Sequence, residues 1–394
     1  MEMKKYKLGE IAEILNGSTP STLDSENYDG EIVWATPKDL SDQKAKYFYK
    51  GARNITEKGF NSCSTQMIPA GNILMSSRAP IGLFAINKVD CCTNQGFKNI
   101  IFDKSVADVE FMYYFLKFHV REIEVLGSGT TFKEISKSSL EKYEFSLPPL
   151  PTQQKIAAVL SSLDKKIALN SRINSRLEQM AKRLYEHYFV QFDFPTEDGK
   201  PYKTSGGKMV YSSELKREIP EGWKVKRLGE LNVVSRGTTI TQKQTTKGNI
   251  KVVAGGLTYS YTNGESNRRK NCITVSGSGE NAGFVNFWRE PIFASDCSTV
   301  QFEDDFDTII CYFNLKMHEH IFFRNSHKSA QPHVYPSDIK EIPFVIPSKE
   351  VKGKIKDLFL KANDKIAILQ QESARFTSLR DRLLPLLMNG QVSV

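Results

Sequence analysis

The chain has 394 residues, of which 40% are hydrophobic and 25% are charged, and its formal net charge is +9 with a pI near 9.0. This length predicts two to three domains with ample core, and the composition is ordinary for a globular protein. No stretch approaches the roughly 18 apolar residues of a membrane span, and no apolar signal core follows the N-terminus. A membrane protein is therefore not expected, whereas the positive charge favours a polyanionic partner without proving one.

The six cysteines form no Cys-x-x-Cys pair and no regular framework. Their pattern predicts reduced, mostly buried thiols in a cytosolic protein rather than disulfides or a zinc site. They are Cys63, Cys91, Cys92, Cys272, Cys297 and Cys311.

Residues 1–146 are predicted to form a first globular domain of mixed α/β type. A short helix is expected from Tyr6 to Leu15, because Asn16-Gly17 and a turn-rich run follow it. A second helix is expected from Val109 to Glu124. Strand patterns occur at 31–35, 71–77, 82–87 and 99–102.

Residues 147–194 contain the longest stretch without an internal Gly or Pro once the prolines at its start are passed. Apolar residues recur there at alternating spacings of four and three, which predicts a coiled-coil helix that needs a partner for its apolar seam. The seam positions are Ile156, Leu160, Leu163, Ile167, Asn170, Asn174, Leu177, Ala181, Leu184 and Tyr188.

The second half of the chain repeats the first. A connector at 195–210 precedes a second globular domain at 211–345, and a second helix is expected at 346–394. Each seam position has a counterpart 199 residues later, so that Ile156 maps onto Ile355 and Ile167 onto Ile366. The offset is 220 near the start of each domain, so the second domain lacks 21 residues present in the first.

Asn170 and Asn174 are the polar members of the first seam. Buried polar seam residues can fix the register and direction of paired helices. Alternatively, the seam opens there to solvent or to a bound subunit.

Four segments of the chain resemble the specificity subunits of type I restriction-modification systems. They are the start of the first long helix, LPPLPTQQKIAAVLSSLDKKI at 147–167, its end, YFVQFDFP at 188–195, and two connector motifs, Asp198-Gly199-Lys200-Pro201-Tyr202 and Ile219-Pro220-Glu221-Gly222-Trp223. The family pattern usually has Glu where this chain has Thr152, which can still cap a helix. The resemblance is strong over the helices and connector, and weaker in the globular domains.

The resemblance implies two α/β (α+β) recognition domains separated by a pair of long antiparallel coiled-coil helices, with a pseudo-twofold internal repeat. It also implies a cytoplasmic, non-catalytic protein that recognises a bipartite asymmetric site on double-stranded DNA. Its implied partners are two methyltransferase subunits and, for cleavage, restriction-translocase subunits; no cofactor or metal is implied.

The residues themselves contain few catalytic candidates. No Asn/Asp-Pro-Pro-aromatic motif and no phosphate-binding Gly-Lys-Ser/Thr loop occurs. Asp193 with Asp198 and Lys200 loosely resembles a nuclease set but lies in a turn-rich connector, and His318 with His320 lacks a third metal ligand. Two other functions are the alternatives to a DNA-recognition subunit. One is a stand-alone DNA methyltransferase or nuclease, and the other is a coiled-coil scaffold without nucleic-acid binding.

DNA contacts are expected from Arg or Lys to guanine, from Asn or Gln to adenine, and from basic and hydroxyl side chains to phosphate. Loops are expected to present these side chains, and Arg268-Arg269-Lys270 is the densest positive cluster. The candidates in the first domain are Ser18, Thr19, Lys38, Ser77, Arg78, Gln95, Lys98, Thr130, Thr131 and Lys133. Those in the second are Arg236, Thr238, Thr239, Lys243, Arg268, Arg269, Lys270, Ser276, Gln331 and His333.

Overall fold

The computed structural model describes residues 3–43, 45–128, 133–326 and 332–392. It divides into two compact units, of which the first contains residues 1–168 and 374–394 and the second contains residues 169–373. Each unit therefore combines one globular domain with segments of both long helices.

The first globular domain is an α+β structure. Its strands are β1 (Lys4–Lys7), β2 (Ala12–Asn16), β3 (Tyr28–Ile32), β4 (Trp34–Ala35), β5 (Tyr47–Phe48), β6 (Ile73–Ser77), β7 (Ile81–Asn87), β8 (Cys92–Thr93), β9 (Phe97–Phe102) and β10 (Glu144–Leu147). Its helices are α1 (Leu8–Ile11), α2 (Pro37–Gln43), α3 (Glu57–Asn61), α4 (Val109–Phe118), α5 (Val120–Val125) and α6 (Lys137–Glu141). The main sheet has the order β2-β9-β6-β7-β5, in which only the β5–β7 pair is parallel.

The predicted helix from Tyr6 to Leu15 is wrong for most of its length. Only α1 is helical, and Glu10 caps it by accepting a hydrogen bond from the backbone N–H of Lys7 at 2.9 Å. The flanking residues are strands, because β1 pairs with β10 and β2 pairs with β9. Pairing with distant strands therefore overrides the local helical pattern.

The second globular domain has the same type of structure. Its strands are β11 (Met209–Ser212), β12 (Arg217–Pro220), β13 (Lys224–Arg227), β14 (Val234–Arg236), β15 (Ile250–Val253), β16 (Tyr259–Asn263), β17 (Cys272–Ser276), β18 (Val285–Trp288), β19 (Ile292–Ala294), β20 (Cys297–Val300) and β21 (Pro343–Ile346). Helix α8 (Asp305–Ser326) follows β20, and helix α9 (Pro336–Lys340) precedes β21. The sheet order β14-β20-β17-β18 matches β2-β9-β6-β7 of the first domain.

The internal repeat extends to strand register. Lys4 of β1 pairs with Leu147 of β10, and Lys224 of β13 pairs with Ile346 of β21, at the same offsets of 220 and 199 residues. In both domains the strand directly before a long helix thus pairs antiparallel with a strand that precedes a short helical turn, β1 in the first domain and β13 in the second. The strand that leads into the long helix is therefore held by the same kind of pairing in both domains.

The two long helices are α7 (Leu150–Tyr185), which continues as a π-helical turn at Glu186–Val190, and α10 (Lys349–Met388). Every predicted seam position of both helices is buried or half-buried. The seam is therefore confirmed as the packed face of each helix.

Contacts within each unit show that α7 and α10 run antiparallel. In the first unit Ile156 and Leu160 share a core with Leu387 and Met388. In the second unit the buried Asn170 donates from Nδ2 to Glu372 Oε2 at 2.8 Å. Asn170 is thus buried and bonds the two helices directly, whereas the buried Oδ1 of Asn174, the other polar seam position, has no hydrogen-bond partner among the described residues. A role of these residues in fixing the register stays a prediction.

Candidate nucleic-acid interface

Loops of the first domain that contain DNA-contact candidates converge on the turn at Gly96. The backbone N–H of Ser18 donates to Thr93 O at 2.9 Å, and the Thr19 hydroxyl donates to Gln95 Oε1. The backbone N–H of Ser77, next to Arg78, donates to Gly96 O at 2.7 Å. A Cβ atom at Gly96 would lie 2.9 Å from Pro37, the residue before Lys38. Candidates from four separate segments are thereby brought onto one surface.

The second domain brings its candidate loops together in an equivalent way. The backbone N–H of Thr238 donates to Ala294 O at 2.9 Å, and that of Val334 donates to Gly277 O at 3.0 Å. The side chains of Arg236 and Ser278 both approach Asp296, at 3.9 and 3.2 Å.

Apart from Arg268 and Arg269, nine candidates are exposed and three are half-exposed. The exposed ones are Lys38, Gln95, Lys133, Arg236, Thr238, Thr239, Lys243, Lys270 and His333. The half-exposed ones are Ser18, Thr19 and Arg78. Arg269 is also exposed and Arg268 is also half-exposed, but both make the internal contacts given below. Thr130, Thr131 and Gln331 lie outside the described residues.

The expectation of a loop position is wrong for six candidates. Lys38 lies in α2, Arg236 ends β14 and Lys243 lies in a 3-10 turn at Gln242–Gln244, but these three remain exposed. The other three are Ser77, Lys98 and Ser276. All three lie in strands, β6, β9 and β17, and all are buried. Lys98 Nζ lies 3.4 Å from Glu134 Oε1, and the Ser276 hydroxyl donates to Gly255 O at 2.7 Å. Because these side chains are enclosed, they are unsuited to direct contact with DNA.

The positive cluster at 268–270 is also largely occupied by internal contacts. Arg268 donates to Thr299 Oγ1 at 3.0 Å, to its neighbour's carbonyl at 2.8 Å and to Arg236 O at 3.0 Å. Arg269 pairs with Asp305 and donates to Glu303 O at 3.0 Å. Of the three, Lys270 alone has an exposed side chain without such a network in the described structure. Both arginines are therefore held by hydrogen bonds within the second domain.

Tyr335 was missed by the sequence analysis. Its ring is 59% exposed and stacks on the exposed His333, with 5.9 Å between ring centroids. Exposed aromatic rings can contact bases or sugars. No spacing rule identifies Tyr335, because its place beside the Gly277 loop depends on the hydrogen bond from Val334.

The two groups that loosely resemble a nuclease set and a metal site make hydrogen bonds to neighbouring residues of the chain. Asp193 accepts hydrogen bonds from the backbone N–H and hydroxyl of Thr204, both at 2.7 Å, within the connector. His318 Nδ1 lies 2.8 Å from Asn314 O on α8. No group of three or more His, Cys, Asp or Glu residues suited to a metal ion is found in the part of the chain that the structure describes.

The cysteines are free, and five of the six are buried, as the sequence predicts. Burial raises the pKa of the Cys91, Cys92, Cys272 and Cys297 thiols to about 12. These thiols are therefore protonated core residues at neutral pH.

Comparison with known proteins identifies the class of molecule that this repeated arrangement defines. The family described as "Type I restriction modification DNA specificity domain" matches residues 1–179 and 220–377. The chain belongs to this family.

Individual relatives match over the whole chain. The type I restriction enzyme MjaIX specificity subunit of Methanocaldococcus jannaschii is 32% identical, covering 100% of this chain and 94% of the relative. The HindI specificity subunit of Haemophilus influenzae is 22% identical, covering 99% and 100%.

The same fold is found in a crystal structure of the S subunit of a type I restriction-modification system from M. genitalium. Its TM-score is 0.63 at 18% identity, with 98% of this chain and 96% of that chain covered. Among the described helices, none is long and apolar enough to cross a bilayer.

Proposed function

We propose that this chain selects the DNA target of a type I restriction-modification complex, with each globular domain recognising one half of a split, asymmetric site. One observation supports this most. The two domains hold their loops with matching backbone contacts, Ser18 to Thr93 and Thr238 to Ala294, but present different side chains from them. A shared backbone framework with different exposed side chains suits two domains that each recognise a different DNA sequence.

The exposed candidates have the chemistry that DNA contacts require. Lys38, Lys133, Arg236 and Lys243 can neutralise phosphates or contact guanine, and Gln95 can contact adenine. The role of each individual side chain is a proposal. The hydrogen bond from Thr19 orients the Gln95 amide, which would fix its donor and acceptor for a base edge.

Domain replacement tests this function. Residues 1–146 would be exchanged for the corresponding domain of a relative, and the methylated motif would be determined in cells that supply the methyltransferase subunit. Only one half of the motif should change. A change in both halves would contradict independent recognition, and an unchanged motif would remove the first domain from target selection.

We also propose that two copies of one methyltransferase subunit bind, because the exposed faces of the long helices repeat as well. Leu169 is 55% exposed and its counterpart Ile368 is 58% exposed, while Met180 and Leu379 are 40% and 45% exposed. Arginines accompany both pairs at matching positions, namely Arg176, Arg183, Arg375 and Arg382. Apolar and basic surface that occurs twice suits two identical partner subunits, each with an apolar contact area bordered by acidic residues that pair with the arginines.

Native mass spectrometry of the complex tests this stoichiometry. The native chain should take up two methyltransferase subunits, and Met180→Glu or Leu379→Glu should each weaken uptake of one. Leu23→Glu is the matched control, because Leu23 is 97% exposed but lies outside the helices. Saturation at one copy for the native chain would contradict the proposal.

The chain itself is proposed to be non-catalytic and to work in the cytoplasm, with restriction-translocase subunits joining for cleavage. Purified chain should bind duplex DNA but transfer no methyl group and cut no DNA without its partners. Methyl transfer by the chain alone would favour the stand-alone methyltransferase. Absence of DNA binding, alone and in the complex, would favour the scaffold.

A further inference from the structure

Position 164 of α7 and position 363 of α10 are equivalent in the repeat but differ in charge. Asp164 is a carboxylate and Asn363 is a neutral amide, although each is the fifteenth residue of its helix. Both side chains bond the globular domain of their own unit. The two domains are therefore attached to equivalent helix positions by different chemistry.

The first joint consists of Lys46, Glu110, Tyr114, Asp164 and Arg380. The hydroxyl of the buried Tyr114 donates to Asp164, which also accepts from Arg380 Nη1 at 2.8 Å. Lys46 Nζ donates to Tyr114 Oη at 2.9 Å and forms an ion pair with Glu110.

Lys46 also connects the first joint to α7 directly. Its Nζ donates to Ser161 Oγ at 2.8 Å, and its side chain is only 8% exposed. A buried ammonium group is stable only where hydrogen bonds and opposite charge compensate its lost hydration. The cation of the first domain therefore fits a helix surface that offers a hydroxyl and a carboxylate.

The second joint consists of Arg289, Asn271, Glu178 and Asn363. Arg289 Nε donates to Asn363 Oδ1 at 2.9 Å, and its Nη2 lies 3.2 Å from Glu178 Oε1. Asn363 Nδ2 donates to Asn271 Oδ1 at 3.0 Å. The Arg289 side chain is 8% exposed, so its charge is compensated almost entirely within this joint.

The opposite helix contributes charges of opposite sign at the two joints. It supplies the cation Arg380 to the first joint, where the second has Ala181, and the anion Glu178 to the second, where the first has Thr377. Ser161, the acceptor for Lys46, corresponds to Leu360. A second domain at the first joint would face Thr377 instead of Glu178 and would bury Arg289 without that carboxylate. A first domain at the second joint would bury the Lys46 ammonium group against Leu360 instead of the Ser161 hydroxyl. Both changes are unfavourable, because a buried charge or donor loses a partner.

We propose that the two joints are keyed, so that each globular domain docks only at its own position on the helices. Asp164, Arg380, Glu178 and Asn363 are then positioning residues for target recognition. This proposal rests on the function proposed above, in which each docked domain recognises one half-site. It implies that this chain cannot accept a second copy of its first domain unless the helix residues change with it.

The test uses a full-length duplicated chain in which a copy of residues 1–146 replaces residues 211–345. A re-keyed version of that chain also has Glu178→Thr, Ala181→Arg, Leu360→Ser and Asn363→Asp, which give the second joint the helix residues of the first. Hydrogen exchange compares the copied α4 helix with the original α4 in the same molecule, with the copied domain isotope-labelled by segmental ligation so that the two identical sequences differ in mass. We expect exchange at least about tenfold faster in the copy of the duplicated chain, and restored protection after re-keying.

A control duplicated chain has Asp357→Ala and Lys361→Ser instead, which transfer two exposed helix residues and should restore nothing. Equal protection of both α4 helices without re-keying would overturn the proposal, and so would a re-keyed chain that remains unprotected. In the native chain, Asp164→Asn should speed exchange of α4 and leave α8 of the second unit unchanged. Uniform behaviour of α4 and α8 would also overturn it.

These measurements need no DNA, so they separate the keyed joints from the proposed function. If the native chain failed to select DNA while re-keying restored protection, the function would be wrong and the joints would stand. If domain replacement changed one half-site while re-keying had no effect, the reverse would hold.

Discussion

Gly17 and Gly237 occupy the same backbone environment in the two globular domains. A Cβ atom at Gly17 would lie 2.0 Å from Asn94 O, and one at Gly237 would lie 2.0 Å from Ser295 O. Neither glycine has a positive φ, so close backbone approach, rather than an unusual conformation, excludes a side chain. Each glycine lets a candidate loop rest directly on the strand connection behind it.

Alanine at either glycine should therefore disturb one candidate loop. Gly17→Ala and Gly237→Ala should each cost about 1–3 kcal/mol in the free energy of unfolding, because the backbone must shift. Each should also weaken recognition of one half-site, measured with DNA competitors altered in a single half. Gly353→Ala is the control: nothing lies within 4 Å of its Cβ position in α10, and it should stabilise by about 0.5–1 kcal/mol. Native stability and unchanged recognition of both half-sites in Gly17→Ala would contradict this interpretation.

The exposed cations and the internally bonded arginines should behave differently on mutation. Lys38→Ala and Lys243→Ala should each lower the slope of log binding constant against log salt by about 1 if the lysine contacts phosphate. Both lysines are exposed, so stability should hardly change. Arg268→Ala should instead cost about 1–3 kcal/mol of stability, because it removes hydrogen bonds to Thr299 and Arg236.

Salt titrations of DNA binding and urea unfolding of the same variants separate these effects. An unchanged salt slope for Lys243→Ala would place that lysine away from DNA. A reduced slope with native stability for Arg268→Ala would show that its internal contacts give way to phosphate.

Acid should weaken the second unit through Asp304. Burial acts to raise the pKa of Asp304, but hydrogen bonds from Lys352, Lys356 and the Phe306 backbone lower it to about 2, from an ordinary value of 3.8. Because the folded-state pKa is depressed, this stabilisation is present above pH 3.8 and is lost as the pH falls towards 2.

Asp304→Asn should therefore lower stability by about 1–3 kcal/mol at neutral pH, with a smaller difference from the native chain near pH 2. Hydrogen exchange in α8 between pH 5 and 2, corrected for intrinsic rates, measures this locally. Asp357→Asn is the control, since Asp357 forms an exposed pair with Lys361 at 3.8 Å. A difference that stays constant with pH would contradict the role of the Asp304 charge.

The sequence predicted features that depend on repeated local patterns. The heptad spacing from Ile156 onward identified the packed faces of both helices, and the offset between Ile156 and Ile355 identified the repeat. The sequence could not show that Arg268 makes internal hydrogen bonds, because the acceptor Thr299 is 31 residues away and the contact forms only after folding. It also could not show that Ser77 is enclosed, because the end of a strand and the start of a loop have the same composition there.

The length of the paired helices should set the gap between the half-sites. The chain passes between the two units only at residues 168–169 and 373–374. Seven residues inserted at both points preserve the heptad seam and leave each unit intact. Insertion after Lys182 would be unsuitable, because the flanking Ala181 and Tyr185 are buried in the core of the second unit.

This double insertion should lengthen the helices by roughly 10 Å at 1.5 Å per residue, which equals about three base pairs at 3.4 Å each. The methylated motif should keep both half-sites and gain up to about three unread base pairs. Three extra base pairs also rotate one half-site by about 100° at roughly 10.5 base pairs per turn. Activity should therefore fall as the gap grows.

Two controls separate helix length from mere insertion. Seven residues after Asp198 enlarge the exposed connector, where Thr196 and Lys200 form a turn, and should leave the gap unchanged. Seven residues inserted in α7 alone leave the seam unmatched and should abolish folding or activity. The prediction is contradicted if the doubly extended chain is folded and active but methylates a motif with its original gap. Helix length would then not determine the spacing of the two half-sites.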